Sequence, residues 1–461
     1  MTDVVNTLWR FCNHLRHDGI KYGDYIEQLT YLLFLKMAQE KEISMPKGYS
    51  WNDLIQHSGS NLLEKYTQLL QTFAKEKGML GDIFAQSISK FRNPSNLKKL
   101  LNLIDEIDWT SLDMDIKAAA YEGLLEKFAS EEKGAGEFFT PRVLIRTIVR
   151  SIKPDFRKSQ EYSIHDPACG TGGFLIGAFE WIMKETHNGA KLTIKDRERL
   201  IKRTFSGMDN VIDTRRLALM NCYLHELEAS IFYGDSIDYG AHVGKRYDVI
   251  LTNPPFGTKG ANEVPSRDDF LVSTSNKQLN FVQHCITLLK VGGEAAMVVP
   301  DNVLFDRLGK DIREHLMKVC DLHTILRLPE GIFNPYSTGV KTNIIFFRKG
   351  FPTNEVWIYD LRTNIKNINK GNRLTEALFK DFEQQYHQKE RTENKQFKRF
   401  SKRDIADKDY NLDIFWSKDD AITDDIPDPY SIAKEIEINL QSALQSISFI
   451  TKKLKDISNS D

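Results

Sequence analysis

Asn253-Pro254-Pro255-Phe256 carries the most chemistry of any stretch in this chain. It follows Tyr247-Asp248-Val249-Ile250-Leu251-Thr252, an apolar run that reads as a buried strand. Two successive prolines cannot continue a central strand. Each lacks an N–H, locks φ and pushes the preceding residue out of the helical region. The strand therefore stops abruptly and presents an Asn amide, bare backbone carbonyls and an aromatic face. Hydrogen-bond acceptors beside a flat stacking surface suit a planar ring with an exocyclic amino group. Taken alone, the tetrapeptide also reads as an ordinary Asn-Pro turn followed by a core Phe.

A second constellation is Asp166-Pro167-Ala168-Cys169-Gly170-Thr171-Gly172-Gly173-Phe174, placed after a strand and before a helix. Its glycines allow a tight turn and close approach of backbone to a ligand. A dinucleotide fingerprint needs glycine at its first, third and sixth positions. Counting from Gly170, Leu175 stands where the third glycine belongs, so that fingerprint fails. A carboxylate at Asp166 is ill suited to a pyrophosphate and well suited to a cation. S-adenosylmethionine, with its amino group and sulfonium, is such a ligand. Two further acids follow strand-like runs: Asp209 after Thr204-Phe205-Ser206-Gly207-Met208, and Asp235 after Ile231-Phe232-Tyr233-Gly234. Asp209 is placed to accept from ribose hydroxyls and Asp235 from the adenine amine of the cofactor. Each acid alone reads as a helix cap; three at successive strand ends read as a ligand site. Upstream, in Gly136-Glu137-Phe138-Phe139-Thr140-Pro141, Thr140 reads as an N-cap and Pro141 as a first helical residue. The paired aromatics before them can cover the cofactor's methionine arm.

These motifs need a scaffold, and the chain supplies two textures. Up to about residue 130 the apolar positions recur at helical spacing, as in Tyr25, Leu29, Leu32 and Leu33. Ile83 to Phe91, Leu97 to Leu103 and Ile116 to Phe128 continue that pattern. Beyond about Gly134, strands alternate with helices. The candidate strands are 162–165, 204–208, 230–233, 248–251, 295–299, 322–328, 343–347 and 356–359. Such alternation implies a Rossmann-like α/β domain with a mainly parallel sheet, whose ligands sit beyond the carboxyl ends of the strands. After about Asp360 the chain turns polar. The cluster Lys395, Lys398, Arg399, Lys402 and Arg403, with Phe397 and Phe400 between, could touch phosphates but reads first as a solvated face. A last helix from Ser431 to Ile457 carries Ile432, Ile436, Leu440, Leu444, Ile447, Ile450 and Leu454 at spacings of three and four, a coiled-coil-like seam. The expected division is a helical domain over 1–130, the α/β domain over 131–420 and a helical segment over 421–461.

Composition sets the outer limits. The 461 residues leave room for two or three domains. No apolar run is long enough to span a bilayer; Leu29 to Met37 includes Lys36. The five cysteines include no Cys-x-x-Cys pair, which argues against a metal site or disulfide frame and for a cytoplasmic protein. The net charge of −1 lacks the basic surplus of a chain that grips DNA unaided.

Taken together, the motifs resemble the modification (methyltransferase) subunits of type I restriction-modification systems, which are gamma-type adenine-N6 DNA methyltransferases. Gly136 to Pro141 is similar to the family's motif X, Asp166 to Phe174 to motif I, and Asn253 to Phe256 to motif IV, in the gamma order. Leu8-Trp9, Tyr25-Ile26 and Phe34-Leu35-Lys36-Met37 resemble its helical N-terminal domain. Asn276 to His284 and Tyr410-Asn411-Leu412-Asp413 resemble its recurrent segments. The resemblance implies S-adenosylmethionine as cofactor, held around Glu137, Phe138, Phe139, Thr140, Asp166, Ala168, Gly170, Thr171, Gly172, Gly173, Phe174, Asp209, Asp235 and Asn253. It implies catalysis at Asn253, Pro254, Pro255 and Phe256 on a flipped adenine in double-stranded DNA. It also implies a separate specificity subunit, with two modification subunits for each, and a restriction subunit in the full complex. No phosphate loop for nucleotide hydrolysis occurs in this chain.

The loop from Gly257 to Asn276, with Lys259, Asn262, Arg267 and Asn276, is expected to be mobile near the target base. The remaining alternatives are a standalone adenine-N6 or cytosine-N4 DNA methyltransferase, an RNA or protein amide methyltransferase, and a non-catalytic subunit that binds the cofactor as a structural ligand.

Overall fold

The computed structural model describes residues 22–40, 45–107, 140–238, 244–256, 264–333, 340–363, 365, 367–369 and 373–416. The first part is all helix: α1 (Tyr22–Glu40), α2 (Trp51–Ile55), α3 (Gly59–Phe73), α4 (Met79–Phe84) and α5 (Pro94–Asp105). Helix α1 is apolar nearly all round, and Tyr25, Ile26, Leu29, Leu32, Leu33 and Phe34 are all buried; such a helix belongs at the centre of its layer. Helices α3 and α5 bury one stripe each, Leu62-Tyr66-Leu69-Phe73 and Leu97-Leu100-Leu101-Ile104.

The helix expected to run on to Phe91 stops at Phe84. Buried Gln28 is the reason. Its amide donates to the Ile88 carbonyl at 3.1 Å and accepts from the Lys90 N–H at 3.2 Å. Those backbone groups are thereby satisfied in an extended segment, across sixty positions, with no helix needed. The segments Leu8 to Leu15, Ile116 to Phe128 and the seam after Ser431 lie outside the described residues.

Next come α6 (Arg142–Ile152), β1 (Ile164–Asp166), α7 (Gly173–Glu185), α8 (Ile194–Arg203), β2 (Phe205–Asp209), α9 (Ile212–Leu224), β3 (Ser230–Tyr233) and β4 (Tyr247–Thr252). They are followed by α10 (Lys277–Leu288), β5 (Leu289–Pro300), α11 (Asn302–Phe305), α12 (Lys310–Val319), β6 (Cys320–Arg327), β7 (Thr342–Lys349) and β8 (Glu355–Asp360). The α/β part closes with α13 (Lys380–Tyr386), β9 (Phe397–Ser401) and α14 (Lys402–Ala406). One sheet holds all nine strands, in the order β3-β2-β1-β4-β5-β7-β6-β8-β9. The pairs from β3 to β5 are parallel, as is β6 with β8; β7 and β9 run antiparallel to their neighbours. Every expected strand is present, and the sheet is mainly parallel.

Strand β9 lies within the basic cluster, whose Lys395, Arg399 and Arg403 are exposed and whose Lys398 and Lys402 are partly so, in line with a solvated face. Phe397 is fully buried and packs on Trp357 at 4.8 Å and Tyr359 at 5.7 Å. Lys398 is partly exposed and Arg399 exposed along an edge strand, where charge discourages further strand pairing.

Topology decides where a site forms. From β1 the chain steps outward to β2 and β3, then returns to the other side of β1 with β4 and β5. The strand order reverses between β1 and β4, which is where open α/β sheets form their crevice. Among the described residues, no helix is long and apolar enough to cross a membrane.

Candidate active site at the carboxyl ends of β1 to β4

Asp166 is the last residue of β1, Asp209 the last of β2, and Asp235 stands two residues past β3. Because β1, β2 and β3 are neighbours, the three acids line one edge. Asp166 pairs in register with Gly207, and Asp209 lies two residues further along β2. Asn253 follows β4, two residues beyond the level of Asp166. That offset is about 7 Å along the strands and about 5 Å across one spacing.

The glycine loop folds around these acids. Asp166 accepts from its own Ala168 N–H at 3.0 Å. Asp209 accepts from the Gly170 N–H at 3.1 Å and the Val211 N–H at 2.8 Å. Gly170 and Gly172 sit at φ 53° and 82°, which a side chain would strain. Gly207 serves close packing instead. A Cβ there would lie 2.8 Å from that of Cys169, so the loop rests directly on β2. The buried Ser236 hydroxyl donates to the Pro167 carbonyl, and Asn221 donates to the Thr171 carbonyl at 3.0 Å. Neither residue stands out in the sequence as part of a site. Asn221 lies mid-helix with no motif around it, whereas Ser236 adjoins Asp235, and that adjacency is a usable signal.

Burial dominates the electrostatics. It pushes the Asp166 carboxyl up to about 7 and the Asp209 carboxyl up to about 6, against the N–H bonds that favour their ionised forms. Each carboxylate has about four lone-pair sites, so Asp209 keeps acceptor capacity beyond its two backbone bonds. Phe174 is a core residue, while Ala168, Thr171 and Gly173 are partly open.

On the other side of the crevice, Asn253 donates its Nδ2–H to the Thr140 hydroxyl at 3.1 Å. Thr140 does not cap α6: the helix begins at Arg142 without a side-chain cap. The Asn253 Oδ1 is buried and has no hydrogen-bond partner among the described residues. Pro254 is buried, and Phe256 is half-buried at the edge of the hydrophobic core. Glu137, Phe138 and Phe139 lie outside the described residues, as do Lys259 and Asn262.

Two residues expected on a mobile loop are instead built in. Arg267 is buried and clasps Asp269 with two bonds, 2.7 and 2.8 Å. Asn276 caps α10 by accepting from the Leu279 N–H at 3.1 Å. Buried Asn280 and Gln283 of α10 hold the backbone of Thr274 and Val272. Among the described residues, no group of three or more His, Cys, Asp or Glu is placed to hold a metal ion.

Fold and site together define an α/β methyltransferase-type domain with an Asn-Pro-Pro-Phe loop at its switch point. Comparison with known proteins agrees. Residues 112–421 match the family model for N-6 DNA methylases, and residues 4–44 match that for the HsdM N-terminal domain. The chain is 38% identical to the type I restriction enzyme StySPI methylase subunit of Salmonella potsdam, covering 98% of this chain and 95% of that one. It is 37% identical to the EcoKI methylase subunit of Escherichia coli K12 over the same shares. The crystal structure of the EcoKI M protein superposes with a TM-score of 0.58 at 34% identity, covering 98% and 96% of the two chains. A chain from a study of type I complex assembly gives 0.73 at 26% identity, covering 98% of each. The chain belongs to the N-6 DNA methylase family. Within it, this is a type I restriction-modification methylase subunit, an adenine-specific DNA methyltransferase.

Proposed function

We propose that the chain methylates N6 of an adenine turned out of double-stranded DNA, with Asn253, Pro254, Pro255 and Phe256 around the base. One observation carries this reading: the Asn253 Oδ1 is buried and unpartnered among the described residues, while its Nδ2 is held by Thr140. A buried acceptor left unsatisfied costs roughly 1–3 kcal/mol, which a ligand N–H recovers. The exocyclic amine of adenine offers two such N–H groups, one for Asn253 Oδ1 and one for the Pro254 carbonyl. Their joint pull favours a pyramidal nitrogen with its lone pair free. The same oxygens stabilise the positive charge that grows on that nitrogen during transfer. Phe256 stacks on the ring, which helps offset the few kcal/mol needed to unstack the base.

S-adenosylmethionine, when bound, supplies the methyl group from a positively charged sulfonium. The residues present fit it. Gly170 and Gly172 let backbone approach closely, and a cation relieves the cost of ionising buried Asp166. Asp209 has lone pairs left for ribose hydroxyls, and Asp235, which also accepts from the Ile237 N–H at 2.9 Å, is the acceptor assigned to the adenine amine. Glu137, Phe138 and Phe139 complete the proposed pocket. The three-part division at about residues 130 and 420 is likewise part of this reading.

The near-neutral charge supports target recognition by a separate specificity subunit, with two copies of this chain on each and a restriction subunit in the full assembly. The seam from Ile432 to Leu454 is the proposed contact with the specificity subunit. The deciding experiment co-expresses the chain with its neighbouring specificity-type gene and measures labelled methyl transfer to unmethylated DNA, with and without the partner. The expected result is N6-methyladenine only with the partner. Label on another base or amide overturns the substrate, and full transfer by the chain alone overturns the dependence.

A further inference from the structure

We infer that the N-terminal helices set the shape of the glycine loop through α9, with Arg216 and Asn221 as positioning residues. The inference rests on the reading of that loop as the cofactor site. Helix α9 starts three residues after Asp209, and the Val211 N–H just ahead of it is bound by the Asp209 carboxylate. Its two sides face different parts of the molecule. Ala218, Asn221 and Cys222 share one stripe, being three and four residues apart. A Cβ at Gly172 would stand 3.6 Å from that of Ala218 and 3.4 Å from the Cys222 sulfur, so this stripe packs directly on the loop. Asn221 adds the 3.0 Å bond to the Thr171 carbonyl.

Arg216 and Tyr223, seven residues apart, share the other stripe. Arg216 is only 5% exposed. Its guanidinium pairs with Glu27 of α1, lies 3.0 Å from Asp213, and donates to the Ala85 carbonyl at 2.7 Å. Tyr31, also of α1, donates to Glu27 at 2.8 Å, and its ring lies under the Arg216 cation at 5.7 Å. Phe34 packs on Tyr223 with ring centres 4.5 Å apart. Arg215 reaches Asp82 of α4 at 3.4 Å and the Ile231 carbonyl of β3 at 2.8 Å. One rigid helix thus holds the glycine loop on one side and α1 and the α4 segment on the other. A change in how α1 sits moves α9 and, with it, the Thr171 carbonyl and Gly172. A buried charge pair also makes the contact specific, because removing one partner costs the other its ion pair across the two helices.

The test uses the full-length chain, titrated with S-adenosylmethionine by calorimetry and followed by thermal melting. Arg216→Met and Glu27→Leu should each melt cooperatively and bind the cofactor about tenfold more weakly, within the usual range for coupled sites. Combined, they replace the pair by packed apolar groups and should recover most of the affinity. With the specificity-type partner present and saturating cofactor, kcat for Arg216→Met should stay within about twofold while KM for the cofactor rises, the pattern of lost uniform binding. Single variants that fold yet bind as tightly as wild type overturn the inference. If they fail to fold, Phe34→Leu decides, since it loosens the same contact more gently. Wild-type protein that binds no S-adenosylmethionine points instead to failure of the cofactor reading itself.

Discussion

The Asn253 amide and the Thr140 hydroxyl meet at 3.1 Å, 113 positions apart in the chain. This bond orients the amide so that its buried oxygen has no partner among the described residues. Thr140→Val keeps the shape and removes the acceptor, so the amide can rotate. We expect kcat for methyl transfer to fall about 10- to 100-fold at saturating cofactor, the scale of a misplaced catalytic group. Thr140→Ser should retain most of the rate. Equal rates for Val and wild type would remove Thr140 from the site.

Asn253→Ala deletes the acceptor itself. Loss of one preorganised transition-state contact of this kind costs on the order of 10²–10³ in kcat. Calorimetric affinity for S-adenosylmethionine should change little, because the glycine loop and the three acids are untouched. Normal transfer by this variant would rule out the proposed geometry.

Asp166 should make the ligand-free protein sensitive to pH. Its carboxyl titrates at about 7 in the fold, against an ordinary value of 3.8. Between those values the unfolded chain has lost the proton and the folded chain still holds it. Stability therefore falls as pH rises from about 4 to 7 and levels off above. Asp166→Asn removes its share of this slope and leaves that of Asp209, whose carboxyl burial pushes up to about 6. It should melt at higher temperature than wild type at pH 8 and show little difference near pH 4. A cation beside Asp166 favours the ionised form, so cofactor affinity should weaken as pH drops below about 7. A cofactor affinity that stays flat from pH 5 to pH 8 would place Asp166 outside the cofactor's reach.

Gly207→Ala tests the seating of the loop. The new methyl would meet the Cys169 Cβ at 2.8 Å and Leu175 at 3.1 Å. Overpacking of that kind costs about 1–3 kcal/mol, read as a lower melting temperature. The displaced loop should also bind S-adenosylmethionine more weakly. An unchanged melt with unchanged affinity would mean that the loop yields freely.

What the sequence by itself determined is the chemistry whose signals are local. An apolar run ending in Asp166, in Asp209 or in Asn253-Pro254-Pro255 announces a strand and its terminus within a few residues, because prolines and strand-end acids act on their own backbone. The alternation of such runs with helical spacing was enough to place the acids at one end of a mainly parallel sheet. Strand β9 leaves little trace in the sequence because an edge strand buries little: only Phe397 is fully enclosed, and charge covers the rest. The tertiary structure alone decided which side chains meet. Gln28 holds Ile88 and Lys90 out of a helix, Asn253 finds Thr140, and Arg216 reaches across 189 positions to Glu27. Hydrogen bonds and ion pairs act over a few ångströms. Which distant residues come within that range is set by packing of the whole core, and no local pattern of residues encodes it.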